Sequence, residues 1–243
     1  SLRYNLGVVA GENSTDGSVM ETLKELVRAK QTTILGEIII PIHHMLIGKP
    51  GEEIKKIISH PQALGQCSNF LTTQYPNVER VPVTSTSLAV EMVKTTPGAA
   101  AIGSQSAAER NQLSILKENI VDNPKNSTLF FLIGRGETQP TGKDTTTLIF
   151  TVEDRVGILA DCLLVFKHHE INLTKIDSHP TGEIGEYMFL VSVDGHQRNE
   201  VLIRAFRELE ERSYCTSLKI LGSYKKATLP EGVREPGAIN DSK

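Results

Sequence analysis

The sequence predicts a mixed α/β protein in two parts: a leading α/β region on a largely parallel sheet, then a smaller α+β region of βαββαβ order. Three observations carry this reading. Strand-like and helix-like segments alternate between Leu6 and about Ala107. A polar, Gly- and Pro-bearing stretch with no apolar period runs from Arg135 to Asp144. Beyond it, periods of two and of 3.6 residues follow one another in the order of a split βαβ plait.

Taken in order, Leu6-Gly7-Val8-Val9 is short, apolar and β-branched, as a strand requires. Val19, Leu23, Leu26 and Val27 fall at helical spacing, with Ser18 and Glu21 placed as a capping box. Ile38-Ile39-Ile40 and Lys56-Ile57-Ile58 read as strands, and Pro61 suits the first position of the helix that follows. Val78 to Val83 is expected to be extended and Leu88 to Val93 helical. Ala99 to Ile102 then makes a buried strand that leads into a helix around Ala107.

After the linker, Leu148, Phe150 and Val152 alternate as in a half-buried strand. Ile158, Leu159, Cys162, Leu163, Val165 and Phe166 give a helix with a broad apolar face. Ile171, Leu173 and Ile176 form an imperfect strand, whereas Tyr187, Phe189, Val191 and Val193 alternate strictly. Leu202, Ala205, Phe206 and Leu209 make a second helix, and Leu218 and Ile220 a last strand.

Composition narrows the function. The 243 residues carry a net charge of -3, with 39% hydrophobic and 23% charged residues, enough to bury a core and too evenly charged for a phosphate-binding face. Nucleic acid is therefore not an expected partner. Nor is a membrane, since no apolar run approaches the ~18 residues of a span. Cys67, Cys162 and Cys215 are too scattered for a disulfide framework or a metal spacing and fit reduced thiols in a cytoplasmic protein.

In an open α/β sheet, ligands bind where strands end and helices begin. Those turns here carry Glu12-Asn13-Ser14-Thr15, Ser59-His60-Pro61-Gln62 with Gln66 beyond, Thr84-Ser85-Thr86-Ser87, and Gly103-Ser104-Gln105-Ser106. Hydroxyls and amides in this number suit a cleft for a compact polar anion, although Ser, Thr and Asn also serve as ordinary N-caps. The pairs His43-His44 and His168-His169 are adjacent, so their rings diverge and do not suit one metal ion; the second pair lies near a helix C-terminus, where imidazole suits the dipole. In the trailing region, the turn Arg155-Val156-Gly157-Ile158-Leu159-Ala160 and the residues Asn172-Leu173 and Asp177-Ser178-His179-Pro180 read either as a turn, a cap and an edge strand or as a small-molecule site shared with another subunit.

These residues resemble the prephenate dehydratase family. Glu12-Asn13-Ser14 through Val19 is similar to its ENSxxGxV signature, Gly36-Glu37 through Leu46 to its GE…PIHHxL segment, and Ser59 through Cys67 to SHPQALxQC. Val83 through Ala89 and Ala100 through Ser104 continue in the same order. The trailing region resembles the ACT regulatory domain, with Gly157-Ile158-Leu159-Ala160 in place of GALV and Asp177-Ser178-His179-Pro180 in place of ESRP.

The resemblance implies a periplasmic-binding-protein-like bilobal dehydratase domain over 1–134 with its first lobe incomplete at the N-terminus. A linker at 135–145, a ferredoxin-like ACT domain at 146–226 and a disordered tail at 227–243 would follow. It implies decarboxylating dehydration of prephenate to phenylpyruvate in phenylalanine biosynthesis, with Thr128 as proton donor or hydroxyl orienter. Glu12, Asn13, Ser14, Gln66, Ser85 and Thr86 would line the substrate cleft. It implies phenylalanine as effector at Gly157, Ile158, Leu159, Ala160, Asn172, Leu173, Asp177, Ser178, His179 and Pro180, a homodimer or homotetramer, and no metal or organic cofactor. The location would be cytoplasmic, or organellar had a targeting peptide preceded Ser1. Two departures qualify it: the family's TRF motif reads Thr128-Leu129-Phe130, and its opening strand and GTFS segment are absent. Loss of an arginine on a substrate carboxylate costs about 2–5 kcal/mol, so the alternative expectation is a weak or inactive amino-acid sensor with a vestigial dehydratase lobe.

Overall fold

The computed structural model describes residues 5–15, 17–181 and 186–228. They divide into two units, Ser1–Ile40 with Ser127–Lys243, and Pro41–Asn126.

The first unit begins with β1 (Leu6–Asn13), which folds back through the two-residue β2 (Gly17–Ser18) so that Glu12 faces Ser18 and Asn13 faces Gly17. Helix α1 (Met20–Arg28) buries Leu23 and Leu26. The expected Ser18–Glu21 capping box does not form. Val19 is the N-cap and makes no side-chain cap bond, because Ser18 belongs to β2 and its hydroxyl bonds Asp177. The other end of α1 is held from far along the chain: Lys219 Nζ bonds the carbonyls of Leu26, Val27 and Ala29 at 2.9, 2.6 and 2.6 Å. Strand β3 (Thr33–Pro41) then closes this leading segment.

The second unit contains β4 (Met45–Gly48), β5 (Lys56–Ser59), α2 (Pro61–Gln66), α3 (Ser68–Gln74), β6 (Glu79–Pro82), α4 (Thr86–Val93), β7 (Ala99–Gly103), α5 (Gln105–Asn111) and β8 (Ser114–Lys117). Its sheet has the order β6-β5-β7-β4-β8. The core strand β5 is parallel to β6 and β7, as the βαβ rhythm predicts, whereas β4 is antiparallel to β7 and β8. Two cores, one holding Ile47, Ile58, Val90 and Ala101 and the other Leu46, Ile57, Leu71 and Ile102, cover the sheet. Ala99 to Gly103 is buried throughout, as a strand with both faces covered should be.

The chain returns to the first unit as β9 (Ser127–Gly134), which lies between β1 and β3 in the order β2-β1-β9-β3. Here the expected parallel sheet is corrected: β1 is antiparallel to both β2 and β9. The partner strand arrives by a long return rather than by a βαβ crossover. β10 (Asp144–Glu153), α6 (Ile158–His168), β11 (Leu173–Pro180), β12 (Glu186–Asp194), α7 (Glu200–Glu211) and β13 (Ser217–Lys225) complete the unit. They form the antiparallel sheet β11-β12-β10-β13, the βαββαβ plait the periodicity predicts.

Leu148, Phe150, Phe189 and Val191 pack on Cys162, Phe166 and Phe206 of the helices. β10 is nonetheless not half-buried: Thr145, Thr147 and Ile149 on its other face are buried as well. That face packs through Ile149, Leu190, Leu221 and Tyr224 against Ile34 and Phe131 of the first sheet and Leu23 and Leu26 of α1. The two sheets approach so closely at Gly222 that a Cβ there would lie 2.1 Å from the Ile34 carbonyl oxygen.

Candidate functional site

Asn13 ends β1 and sits opposite Thr128 of β9. Its amide Nδ2 donates to Thr128 Oγ1 at 3.0 Å and to the Ser127 carbonyl at 3.3 Å, while Oδ1 accepts the Thr15 amide at 3.0 Å. The last bond is an Asx turn, the local reason for an asparagine followed by small hydroxyl residues. Ser14 closes the same corner: its Oγ accepts the Ser127 amide at 3.0 Å and its own amide donates to the Ser127 carbonyl at 2.9 Å. A buried amide thus fixes the hydroxyl of Thr128 and, by donating to Oγ1, leaves the hydroxyl proton to be donated elsewhere.

Glu12 does not join this corner. It stands opposite Leu129, one position along the strand from Asn13 and so on the other face. There it pairs with Lys175 of β11, which also bonds Ser18 Oγ at 2.7 Å and lies 3.3 Å from Asp177. Burial pushes the Asp177 carboxyl up, but the Ser18 hydroxyl and the Lys175 charge outweigh it and hold it below the usual range. Leu129 shares the Glu12 face, lining a cavity with Ser127 and Phe131, so position 129 points away from the Thr128 hydroxyl.

In the second unit, the turns singled out in sequence follow the carboxyl ends of β5, β6 and β7. His60 Nδ1 caps α2 through the Gln62 amide at 3.3 Å, Ser85 Oγ caps α4 through Leu88 at 3.1 Å, and Ser104 Oγ caps α5 through Ala107 at 3.2 Å. Thr86 is the first residue of α4 and half-buried. Gln66 meets the imidazole of His44 at 2.9 Å. Burial holds His44 below the ordinary imidazole value, against the opposing bond from Gln66, so the ring is neutral at pH 7. Asp122 accepts the amides of Asn69 and Phe70 at 2.9 and 3.2 Å, at the start of α3.

Of the residues expected to bind an effector, Gly157 caps α6 at φ +81°, a left-handed geometry that favours glycine, and Ile158, Leu159 and Ala160 form the first turn. Asn172 donates to Asp194 at 2.7 Å just before β11. Leu173, Asp177, Ser178, His179 and Pro180 all lie on β11, an edge strand. His179 Nε2 is buried with no hydrogen-bond partner among the described residues. His169 at the end of α6 bonds Glu208 at 2.9 Å. The tail after residue 228 lies outside the described residues, as does Asp16 of the ENS segment.

Among the described residues, no group of His, Cys, Asp and Glu is placed to hold a metal ion, and no helix is long and apolar enough to cross a membrane. Burial pushes the Cys67 and Cys162 thiols up to about 12. Sequence reasoning missed Lys175, Ser18, Ser127 and Asp122. Asp122 and Lys175 act across 53 and 163 positions of chain and leave no local period to read.

The family model described as prephenate dehydratase matches residues 1–138, and that of the ACT domain matches 146–211. A bifunctional chorismate mutase/prephenate dehydratase of Aquifex aeolicus is 40% identical over 94% of this chain, which spans 63% of that protein's length. The prephenate dehydratase of Methanocaldococcus jannaschii is 37% identical over 90% of this chain and 80% of its own. Among solved structures, a prephenate dehydratase from Arthrobacter aurescens in complex with L-Phe is 32% identical, with TM-score 0.82 over 93% of this chain and 76% of that one. A protein described as a novel type of quorum quenching acylase is 31% identical, with TM-score 0.79 over 93% and 83%.

Proposed function

The chain belongs to the prephenate dehydratase family and carries an ACT domain, and on that premise we propose that it converts prephenate to phenylpyruvate under control of phenylalanine. The observation that carries the reading is the 3.0 Å bond from the buried Asn13 amide to Thr128 Oγ1. Prephenate bears a carboxylate and a pyruvyl group on one ring carbon and a hydroxyl on the opposite one. As the ring–carboxylate bond breaks, carbon dioxide leaves and its electron pair enters the ring. The opposite carbon–oxygen bond breaks, and the departing hydroxyl takes one proton and leaves as water. Aromatisation supplies the driving force, so the protein has to orient the dianion and deliver that proton. Thr128 is the proposed donor, refilled from solvent, and Asn13 holds its oxygen so that the proton points outward.

Gln66, Ser85 and Thr86 are proposed to bind substrate, and Ser14, on the Glu12 side of the strand, to hold the start of β9 through the Ser127 amide. Glu12 is proposed instead as the strand's anchor to Lys175. The position of Leu129 on the face away from Thr128 supports activity without an arginine there. The functional division is 1–134 for dehydration, 135–145 as linker and 146–226 for regulation. Phenylalanine is proposed to act at the Gly157–Ala160 turn and β11 of a homodimer or homotetramer in the cytoplasm; an L-Phe complex of the Arthrobacter relative supports the choice of effector.

The test is to incubate the full chain with prephenate and follow phenylpyruvate and carbon dioxide, with and without phenylalanine, while sedimentation reports the oligomer. Equimolar release of both products, reduced by phenylalanine, is expected. Soluble, folded protein that releases neither would overturn the proposal.

A further inference from the structure

The adjacent His43 and His44, unsuited to a shared metal ion, occupy different surroundings: His43 is exposed, and His44, one position before β4, is half-buried. The His44 ring reaches Gln66, the last residue of α2, with Nε2 2.9 Å from the side-chain oxygen Oε1. An amide oxygen only accepts, so the ring proton lies on Nε2, and Nδ1 of the neutral ring is left as an acceptor. Burial, against the opposing bond from Gln66, holds the imidazole below its ordinary value and so neutral at pH 7. His44 therefore brings direction to this place and no charge.

Both partners are fixed from behind. The Ile120 amide donates to the His44 carbonyl at 2.9 Å and the Asp122 amide to the Gln66 carbonyl at 2.8 Å, so one short segment ties the two backbones. Ala63 of α2 and Cys67, which follows it, are buried against Leu46, Ile57 and Ile102 of the sheet. What remains to be set is the sense of the Gln66 amide. That group is nearly symmetric in shape but not in charge: turned one way it presents N–H donors, turned the other a carbonyl oxygen. Toward an anionic substrate the first attracts and the second repels.

We infer that His44 is a positioning residue for the dehydration, its Nε2–H holding the Gln66 side-chain oxygen so that the amide nitrogen is aimed at a carboxylate of the substrate. The inference rests on the binding role proposed for Gln66. His44 does not itself take the carboxylate, because its one ring proton is engaged by Gln66 and a lone pair at Nδ1 repels an anion. A donor held in this way needs no reordering when substrate arrives, which is what a supporting residue behind a binding side chain supplies.

A double-variant cycle on the full chain, read as kcat/KM for prephenate, tests this. His44→Leu and Gln66→Ala should each lower kcat/KM about tenfold, the loss of one directed hydrogen bond. The two together should fall no more than about twofold below Gln66→Ala alone, because a glutamine that is gone cannot be misdirected. His44→Gln, whose amide N–H can stand where Nε2–H stands, should return to within about threefold of the unaltered chain. In the unaltered chain, long-range proton–nitrogen spectra should show the His44 proton on Nε2, a readout that does not depend on any variant folding. Full activity in His44→Leu, multiplicative losses in the double variant, a His44→Gln loss as deep as that of His44→Leu, or the ring proton on Nδ1 would each overturn the inference. Full activity in Gln66→Ala would overturn it together with the binding role of Gln66 and leave dehydration standing. No turnover by the unaltered chain would overturn dehydration; the same cycle is then read as prephenate affinity by calorimetry, where an absence of binding overturns this inference as well.

Discussion

Replacing Lys175 by methionine keeps the length of the side chain and removes its charge, leaving Glu12 and Asp177 facing one another without a cation. The lysine side chain is 20% exposed, and those of Glu12 and Asp177 are 35% and 32% exposed. A contact pair in surroundings of this polarity is worth about 4 kcal/mol before the cost of burying the ammonium. That cost and the partial exposure of both carboxylates reduce the net loss to about 2 kcal/mol, or about a 30-fold shift in the folding equilibrium. Urea denaturation followed by circular dichroism reads this directly as a lower midpoint with an unchanged slope. Adding Glu12→Gln to Lys175→Met removes the repulsion and should recover about 1 kcal/mol. Because Glu12 precedes Asn13 in β1, Lys175→Met should also lower turnover more than it raises KM. A loss below about 0.5 kcal/mol, or a double variant no more stable than the single one, would refute the reasoning.

Gly222→Ala would drive a Cβ to 2.1 Å from the Ile34 carbonyl oxygen, backbone against backbone; a loss of about 2–3 kcal/mol in urea denaturation is expected. Lys219→Met frees the carbonyls of Leu26, Val27 and Ala29 and should speed amide exchange in α1 about tenfold or more while sparing β10. Burial pushes the Asp144 carboxyl up, but bonds from the Thr141 hydroxyl and amide and the Gly142 amide outweigh it and hold it low. Its contribution is therefore present above the ordinary carboxylate value of about 4 and lost as pH falls through the lower folded value, so Asp144→Asn should cost stability at pH 7 and progressively less in acid. Glu37 has the opposite sign: burial raises it above its ordinary value despite the Ala227 amide. What it contributes is present in acid and lost as pH rises, so Glu37→Gln should gain stability over the unaltered chain at pH 8 and match it near pH 4, as pH-dependent melting would show.

Much of this fold could be read from local pattern. The plait declared itself because two-residue and 3.6-residue periods do not mimic one another, and His60-Pro61, Ser85 and Ser104 marked helix starts because caps are chosen by neighbouring amides. What escaped depends on distant partners. β9 was met only as a motif around Thr128, since Ser127–Gly134 has no alternation: both faces of its sheet hold apolar residues. Leu148, Phe150 and Val152 revealed one buried face of β10, while Thr145 and Thr147 at the alternate positions before them hid the second, which packs on a sheet from the other end of the chain. Ser18 suited a capping box by spacing, but Asp177 and Lys175 outbid the helix for its hydroxyl. In the candidate site, Asn13, Ser14 and Thr128 were legible as residue types, and the opposite orientation of Glu12 was not, because it follows from strand register.

The most direct test of the account is the turnover number for phenylpyruvate formation from prephenate by the unaltered chain, Thr128→Ser and Thr128→Ala. Retention of most activity in the serine variant, with a fall of about 100-fold or more in the alanine variant at nearly constant KM, is the predicted result. Equal turnover in all three would contradict it, because the hydroxyl that Asn13 holds would then have no part in the chemistry.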